Sequence, residues 1–139
     1  MELKLNKLSV LYSYAYLKTD RYLEQVLLIL SEQGYINLLI DSGAFTAYKL
    51  GKPISLKEYI EACYRYKDRC FQYMMLDVIN NKDESKKNFE KMLDSKLNPM
   101  GILTIDNDVN ECVYYTQINK YIGIPGGTMT KGDWIKKRF

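Results

Sequence analysis

Histidine is absent from all 139 residues. Its absence removes every Ser-His-Asp or Cys-His nucleophile system and any His-ligated metal site. Whatever chemistry the chain performs falls to carboxylates, lysines and backbone groups. Cysteine is scarce: Cys63, Cys70 and Cys112 are an odd number and contain no C-x-x-C pair. That pattern excludes a disulfide framework or zinc ribbon and reads as buried thiols. Long hydrophobic runs are missing too. The longest, such as Val26–Leu30 and Leu38–Ile40, fall far short of the roughly 20 residues that a bilayer-spanning helix needs. Met1–Lys7 mixes charge with leucine and has no signal-peptide core, so the expected compartment is the cytoplasm. There is no phosphate-cradling glycine loop. A dense basic stripe is also lacking: 20 basic residues are set against 17 acidic ones, a net charge of +3. Nucleic-acid binding is therefore permitted but not argued for by charge alone.

What is present is an ordinary globular balance, 47% hydrophobic and 27% charged residues, enough for one domain with its own core. Short apolar runs alternate with amphipathic ones. Leu8–Tyr16 reads as a first strand. Thr19 or Asp20 can cap a helix to Gln33, with Leu23, Val26, Leu27 and Leu30 on one face and Gly34 at its C-terminal stop. Ile36–Ile40 reads as a strand covered on both faces, followed by a polar loop, Asp41–Pro53. Ser55-Leu-Lys-Glu58 is a capping box that opens a helix from Leu56 to about Lys67. Phe71–Leu76 is a third strand, and Asn81 caps a lysine-rich helix to about Ser95. Met100–Ile105 is a fourth strand, and Asp108 opens a short helix to about Thr116. Tyr121–Ile124 is a fifth, followed by the turn Pro125-Gly-Gly127 and a cap at Thr130 for a last helix. Strands alternating with helices predict a parallel α/β sheet of about five units, residues 1–139 forming a single domain whose last unit is cut off in mid-course.

In parallel α/β folds, functional groups collect at the C-terminal ends of the strands. Asp41 and Asp77 each follow an apolar strand without a spacer, so both carboxylates are expected at the sheet mouth. Such a pair can share protons, hold a metal or accept N–H bonds. A carboxylate fits the two parallel donors of a guanine edge, N1–H and the exocyclic amine, through charge-assisted bonds worth about 1.5–3 kcal/mol each. The structural alternative is that one carboxylate caps the helix behind it. Phe45, four residues after Asp41, offers a ring for stacking on a planar base or for plugging the core. Gly126 and Gly127 permit close backbone approach to a carbonyl oxygen. Tyr14, Tyr16 and Tyr48 are placed to line a pocket. Asp106-Asn-Asp108-Val-Asn110 looks like the start of a calcium loop, but its sixth position is Glu111 and its twelfth Gln117, so it reads as a helix cap.

Asp41-Ser-Gly-Ala-Phe45, Met75-Leu-Asp77-Val-Ile79 and Ile124-Pro-Gly-Gly127 together resemble the motifs of the tRNA-guanine transglycosylase superfamily, more closely its phage and bacterial relatives that place 7-deazaguanines in DNA. The resemblance implies a partial (β/α) barrel of the TIM type and a glycosyltransferase that exchanges guanine for a deazapurine. It implies Asp41 as the carboxylate near the reacting base, with Ser42 and Gly43 in the same binding loop. It also implies Phe45 as the stacking ring, Asp77 as the base-recognition group, and Gly126 and Gly127 as the contact to the base carbonyl. The family's sugar-attacking aspartate and structural zinc belong to later strands, without counterpart here. The expectation is therefore the base-recognition part of such an enzyme, acting on DNA or tRNA without metal or cofactor. The alternative is a non-catalytic, phage-type protein that binds or sequesters a nucleobase or nucleotide. Three explanations stay open for the expected missing strands: an excerpt of a longer enzyme, one polypeptide of a split enzyme whose barrel a second chain completes, or a shortened descendant that pairs with itself as a homo-oligomer. A third reading, an unrelated doubly wound domain, has the two aspartates holding Mg²⁺.

Overall fold

The computed structural model describes residues 7–103 and 108–124. In chain order it contains β1 (Leu8–Ser13), α1 (Tyr14–Leu17), α2 (Arg21–Glu32), β2 (Ile36–Asp41), α3 (Ala44–Lys49) and α4 (Leu56–Tyr66). These are followed by β3 (Gln72–Tyr73), α5 (Lys82–Asp94), β4 (Gly101–Ile102), α6 (Val109–Ile118) and β5 (Ile122–Gly123). The fold is mixed α/β, and each strand pairing is parallel. β1, β2 and β3 form one sheet in that order, and β4 pairs with β5 in a second. A parallel bridge between Met74 and Met100 joins the two. Around it, Met100 N–H donates to the Tyr73 carbonyl at 2.8 Å and Met75 N–H to the Met100 carbonyl at 2.9 Å.

Local chemistry sets the helix ends. Asp20 accepts from the Leu23 N–H at 3.0 Å, Ser55 from Glu58 at 3.4 Å and Asn81 from Glu84 at 3.0 Å. Asp108 and Glu111 form a reciprocal capping box. Gly34, at φ +84°, ends α2: Tyr35 N–H reaches the Leu30 carbonyl and Gly34 N–H the Ser31 carbonyl, the six-to-one and five-to-two bonds of a Schellman stop. The four caps and the glycine stop are those expected from the sequence.

Several boundaries differ from expectation. The first strand ends at Ser13, not Tyr16, because the Ser13 hydroxyl accepts from the Ala15 N–H at 3.2 Å and turns the chain into α1. The supposed polar loop after β2 contains the six-residue helix α3. Strands β3, β4 and β5 are two residues each, shorter than the apolar runs around them. Residues 104–107, the turn Pro125-Gly-Gly127 and the expected last helix lie outside the described residues.

The core lies between the sheet and the helices. Ile36, Leu38 and Ile40 of β2 are buried in one cluster with Leu28 of α2, Tyr59, Ala62, Cys63 and Tyr66 of α4, and Phe89 and Met92 of α5. Side chains alternate across a strand, so Asn37, Leu39 and Asp41 project from the other face of β2. A buried ionic knot ties α2 to α4. Glu24, fully buried, accepts from Arg65 Nε and Nη2 at 3.3 and 3.2 Å and from the Tyr66 hydroxyl at 2.6 Å, and pairs with Arg21 at 3.1 Å.

Candidate functional site

β2 delivers Asp41 to the C-terminal end of the sheet, in register with Ser13 at the end of β1. The chain then has to turn sharply. Asp41 Oδ2 accepts the Gly43 N–H at 3.2 Å, and Gly43 takes φ +81° to start α3. Only glycine fits there: a Cβ would stand 2.3 Å from Ser13 Oγ and 2.5 Å from Ala15 Cβ. α1 and α3 thus abut at this turn.

Ser42 is fully buried between the two loops. Its hydroxyl accepts the Ala44 N–H at 3.2 Å and donates to Asp77 Oδ1 at 3.5 Å, a long contact. This serine joins the loop after β2 to the one after β3. Below it, the buried Tyr59 donates its hydroxyl to the Met74 carbonyl at 2.5 Å and packs its ring 5.2 Å from that of Tyr14.

The electrostatics of the pair are unusual for structural carboxylates. Burial pushes Asp77 up to about 6 from the ordinary 3.8, and the nearby charge of Asp41 pushes the same way; its own backbone N–H and the Ser42 hydroxyl pull the other way. Burial also raises Asp41, opposed by the N–H groups of Gly43 and Ser42. Among the described residues, no lysine or arginine forms an ion pair with either. A carboxylate placed for stability gains partners that lower its pKa. These two are held where ionisation is costly, a pattern concentrated at functional sites. Among the described residues, no group of three or more cysteine, aspartate or glutamate side chains is placed to hold a metal ion.

Asp77 lines a cavity of about 430 Å³ between α3, the segment after it and the start of the β3–α5 loop. Its walls are mainly apolar, from Ala44, Ala47, Tyr48, Pro53, Ile54 and Ile79. Asn88 closes one side, its Nδ2 fixed to the Leu76 carbonyl at 3.1 Å. The size is within the range of roughly 300–1,000 Å³ usual for small-molecule sites. Asp41 borders a second hollow, of about 350 Å³, with Leu11, Tyr12, Ser13 and Tyr16.

The structure therefore brings Asp41, Ser42, Gly43 and Asp77 together, with Asp77 lining one hollow and Asp41 another. Asp41 is partly engaged by its own turn through the Gly43 N–H, but α3 has no side-chain cap and Asn81 caps α5, so neither aspartate takes the helix-capping role weighed as the alternative; the side-chain contact of Asp77 is the long one from Ser42. Phe45 is on the outer face of α3, 59% exposed, and is not among the residues around Asp77's cavity. Tyr48 is. Tyr16 lines the hollow beside Asp41, and Tyr14 is core. Gly126 and Gly127 lie outside the described residues. Pro53, Ile54 and Asn88 carry no motif that would have marked them. Compared with known proteins, the chain matches no family model, no curated protein and no solved structure.

Proposed function

We propose that the chain recognises a guanine-type base, with Asp77 gripping the edge formed by N1–H and the exocyclic amine. The observation that carries this reading is a poorly neutralised, half-buried carboxylate facing an apolar cavity at the C-terminal end of a parallel sheet. A flat ligand fits between the apolar walls, and its two donors supply the partners that Asp77 lacks. Asp41 acts on Asp77 through its charge and lines a second hollow, where it is available for proton handling. Ser42 and Gly43 hold that geometry.

The finer reading is the base-recognition part of a transglycosylase-like enzyme. Its support is the motif pattern, the strands following in chain order, all parallel, and the placement of Asp41 at the end of β2 with Asp77 in the segment after β3. Exchange of bases on DNA or tRNA needs a carboxylate that reaches a sugar carbon. The engagement of Asp41 by the Gly43 N–H favours binding without catalysis as the second reading.

Calorimetric titration with guanine, hypoxanthine and adenine tests the proposal. Hypoxanthine lacks the exocyclic amine and is expected to bind roughly 10- to 150-fold more weakly than guanine, the equivalent of one charge-assisted bond. Adenine, without the N1–H donor, should show no measurable binding. Asp77→Ala should abolish guanine binding and keep the fold. Equal affinity for the three bases, or unchanged affinity in the variant, would remove Asp77 from this role.

A further inference from the structure

Asp77 stands in the irregular segment between Tyr73, where β3 stops, and Lys82, where α5 starts. A half-buried carboxylate on such a segment escapes burial by turning toward water unless the backbone beside it is fixed. Here one helix fixes it on both sides. Asn88 Nδ2 donates to the Leu76 carbonyl at 3.1 Å, and the Val78 N–H donates to Ser85 Oγ at 2.7 Å. These belong to the two peptide groups that join Asp77 to its neighbours. Ser85 and Asn88 are three residues apart on α5, so they stand one above the other on a single face. The serine hydroxyl is held in turn, donating to the Asn81 carbonyl at 2.9 Å with the Val78 carbonyl at 3.2 Å also in reach. Phe89 and Met92, on the same side of the helix, are fully buried, and Ser85 is 2% exposed. Alanine or leucine at 85 and 88 would form a better helix and bury more apolar surface. Polar groups on an inward face are costly unless they bond, and these two direct their bonds to the peptides of Asp77.

We infer that Ser85 and Asn88 are positioning residues: they clamp both peptide groups of Asp77 and so keep its carboxylate at the cavity wall. The role rests on the base-binding reading above, because the group they hold is the one assigned to grip the base. A carboxylate fixed in this way has little freedom left to lose when a ligand arrives. Asn88 also lines the cavity, whereas Ser85 is not among the residues around it. Any effect of Ser85 on Asp77 therefore travels through the backbone.

The test follows the Asp77 carboxyl by carbon-13 NMR through a pH titration, beside guanine calorimetry and urea unfolding, in Ser85→Ala and Asn88→Leu. The leucine keeps the shape of asparagine and removes the donor. Each variant should lower the Asp77 midpoint by about one unit, as the freed carboxylate gains water, and weaken guanine binding about 10- to 100-fold. Ser85→Thr, which keeps the hydroxyl, should hold both at the parental values. The titratable groups whose fields couple to Asp77 are Asp41 and Tyr115, and no variant alters them. An apolar leucine in the wall would by itself raise the midpoint, so a fall reports release of the segment. Tyr64→Phe is the control. It removes another tie of α5, the 2.6 Å bond from the Tyr64 hydroxyl to the Ser95 carbonyl, and should lower stability with midpoint and affinity unchanged. Four outcomes overturn the clamp: a midpoint that stays or rises in both variants, parental guanine affinity after the midpoint has fallen, the same shift in Tyr64→Phe, or a Ser85→Thr that folds as stably as the parent yet titrates like Ser85→Ala. Where the parent itself binds no guanine, the base reading fails and the midpoints alone judge the clamp. Where guanine binds parent and variants alike at an unmoved midpoint, the clamp fails and the base reading stands.

Discussion

Replacing Asp77 with asparagine should make the protein more stable at neutral pH. In the folded chain this carboxyl titrates at about 6, against 3.8 for an ordinary aspartate. A raised value means that the folded state holds its proton more tightly than the unfolded chain does. Between about pH 4 and pH 6 the folded state therefore binds more protons, and stability falls as pH rises through that window. Two units at about 1.4 kcal/mol each give a loss on the order of 3 kcal/mol, complete above about pH 6.5. Asparagine keeps the shape and an oxygen for the Ser42 hydroxyl but cannot ionise, so it escapes the loss. Urea unfolding of parent and Asp77→Asn at several values between pH 4 and 8 measures it. The two should agree near pH 4 and diverge to about 2–3 kcal/mol in favour of the variant at pH 7, a rise of roughly 10 °C in Tm for a chain of this size. Parallel curves, or a variant that is weaker at pH 7, would refute the claim that this carboxylate is held against its own ionisation. The variant should also lose guanine binding, the usual cost of stabilising a functional site.

Guanine affinity should be flat above pH 6 and fall about tenfold per unit below it, because only the ionised Asp77 accepts both donors; calorimetry at pH 5, 6 and 7 reads this out. Glu24→Ala leaves the Tyr66 hydroxyl without its acceptor and Arg65 without its carboxylate, and should cost about 2–3 kcal/mol in urea unfolding, with both arginines free to reach water. Gly43→Ala combines a left-handed backbone with a Cβ 2.3 Å from Ser13 Oγ, and should destabilise by about 2–4 kcal/mol.

Much of this fold could be read from short-range chemistry. Asp20, Ser55, Asn81 and Asp108 cap helices through atoms two or three residues away, so their signals are local. The apolar run Ile36–Ile40 gave the central strand for the same reason. α3 escaped notice because Ser42 to Lys52 looks polar and glycine-rich. Its signal was the spacing of Ala44 and Ala47 against Phe45 and Tyr48, one face small and the other large. Strands β3 to β5 are two residues each, a length that the apolar runs around them do not reveal. The convergence of Asp41 and Asp77 was expected from strand ends, but only Asp41 ends a strand; β3 stops at Tyr73 and Asp77 is carried four residues beyond it. The Ser42 contact that links them spans 35 residues and left no trace in any local pattern. Nor did the lining by Ile54 and Asn88, or the outward placement of Phe45, which depends on the phase of a helix the loop reading lacked.

Carbon-13 NMR of the aspartate carboxyl groups, followed through a pH titration with and without guanine, addresses the central claim most directly. The free protein should show Asp77 titrating near 6. With guanine bound, its midpoint should drop by at least about one unit, as N–H donors stabilise the charged form, while Asp41 shifts with it through their shared field. An Asp77 midpoint near 4 in the free protein, or one that guanine leaves in place, would contradict the account.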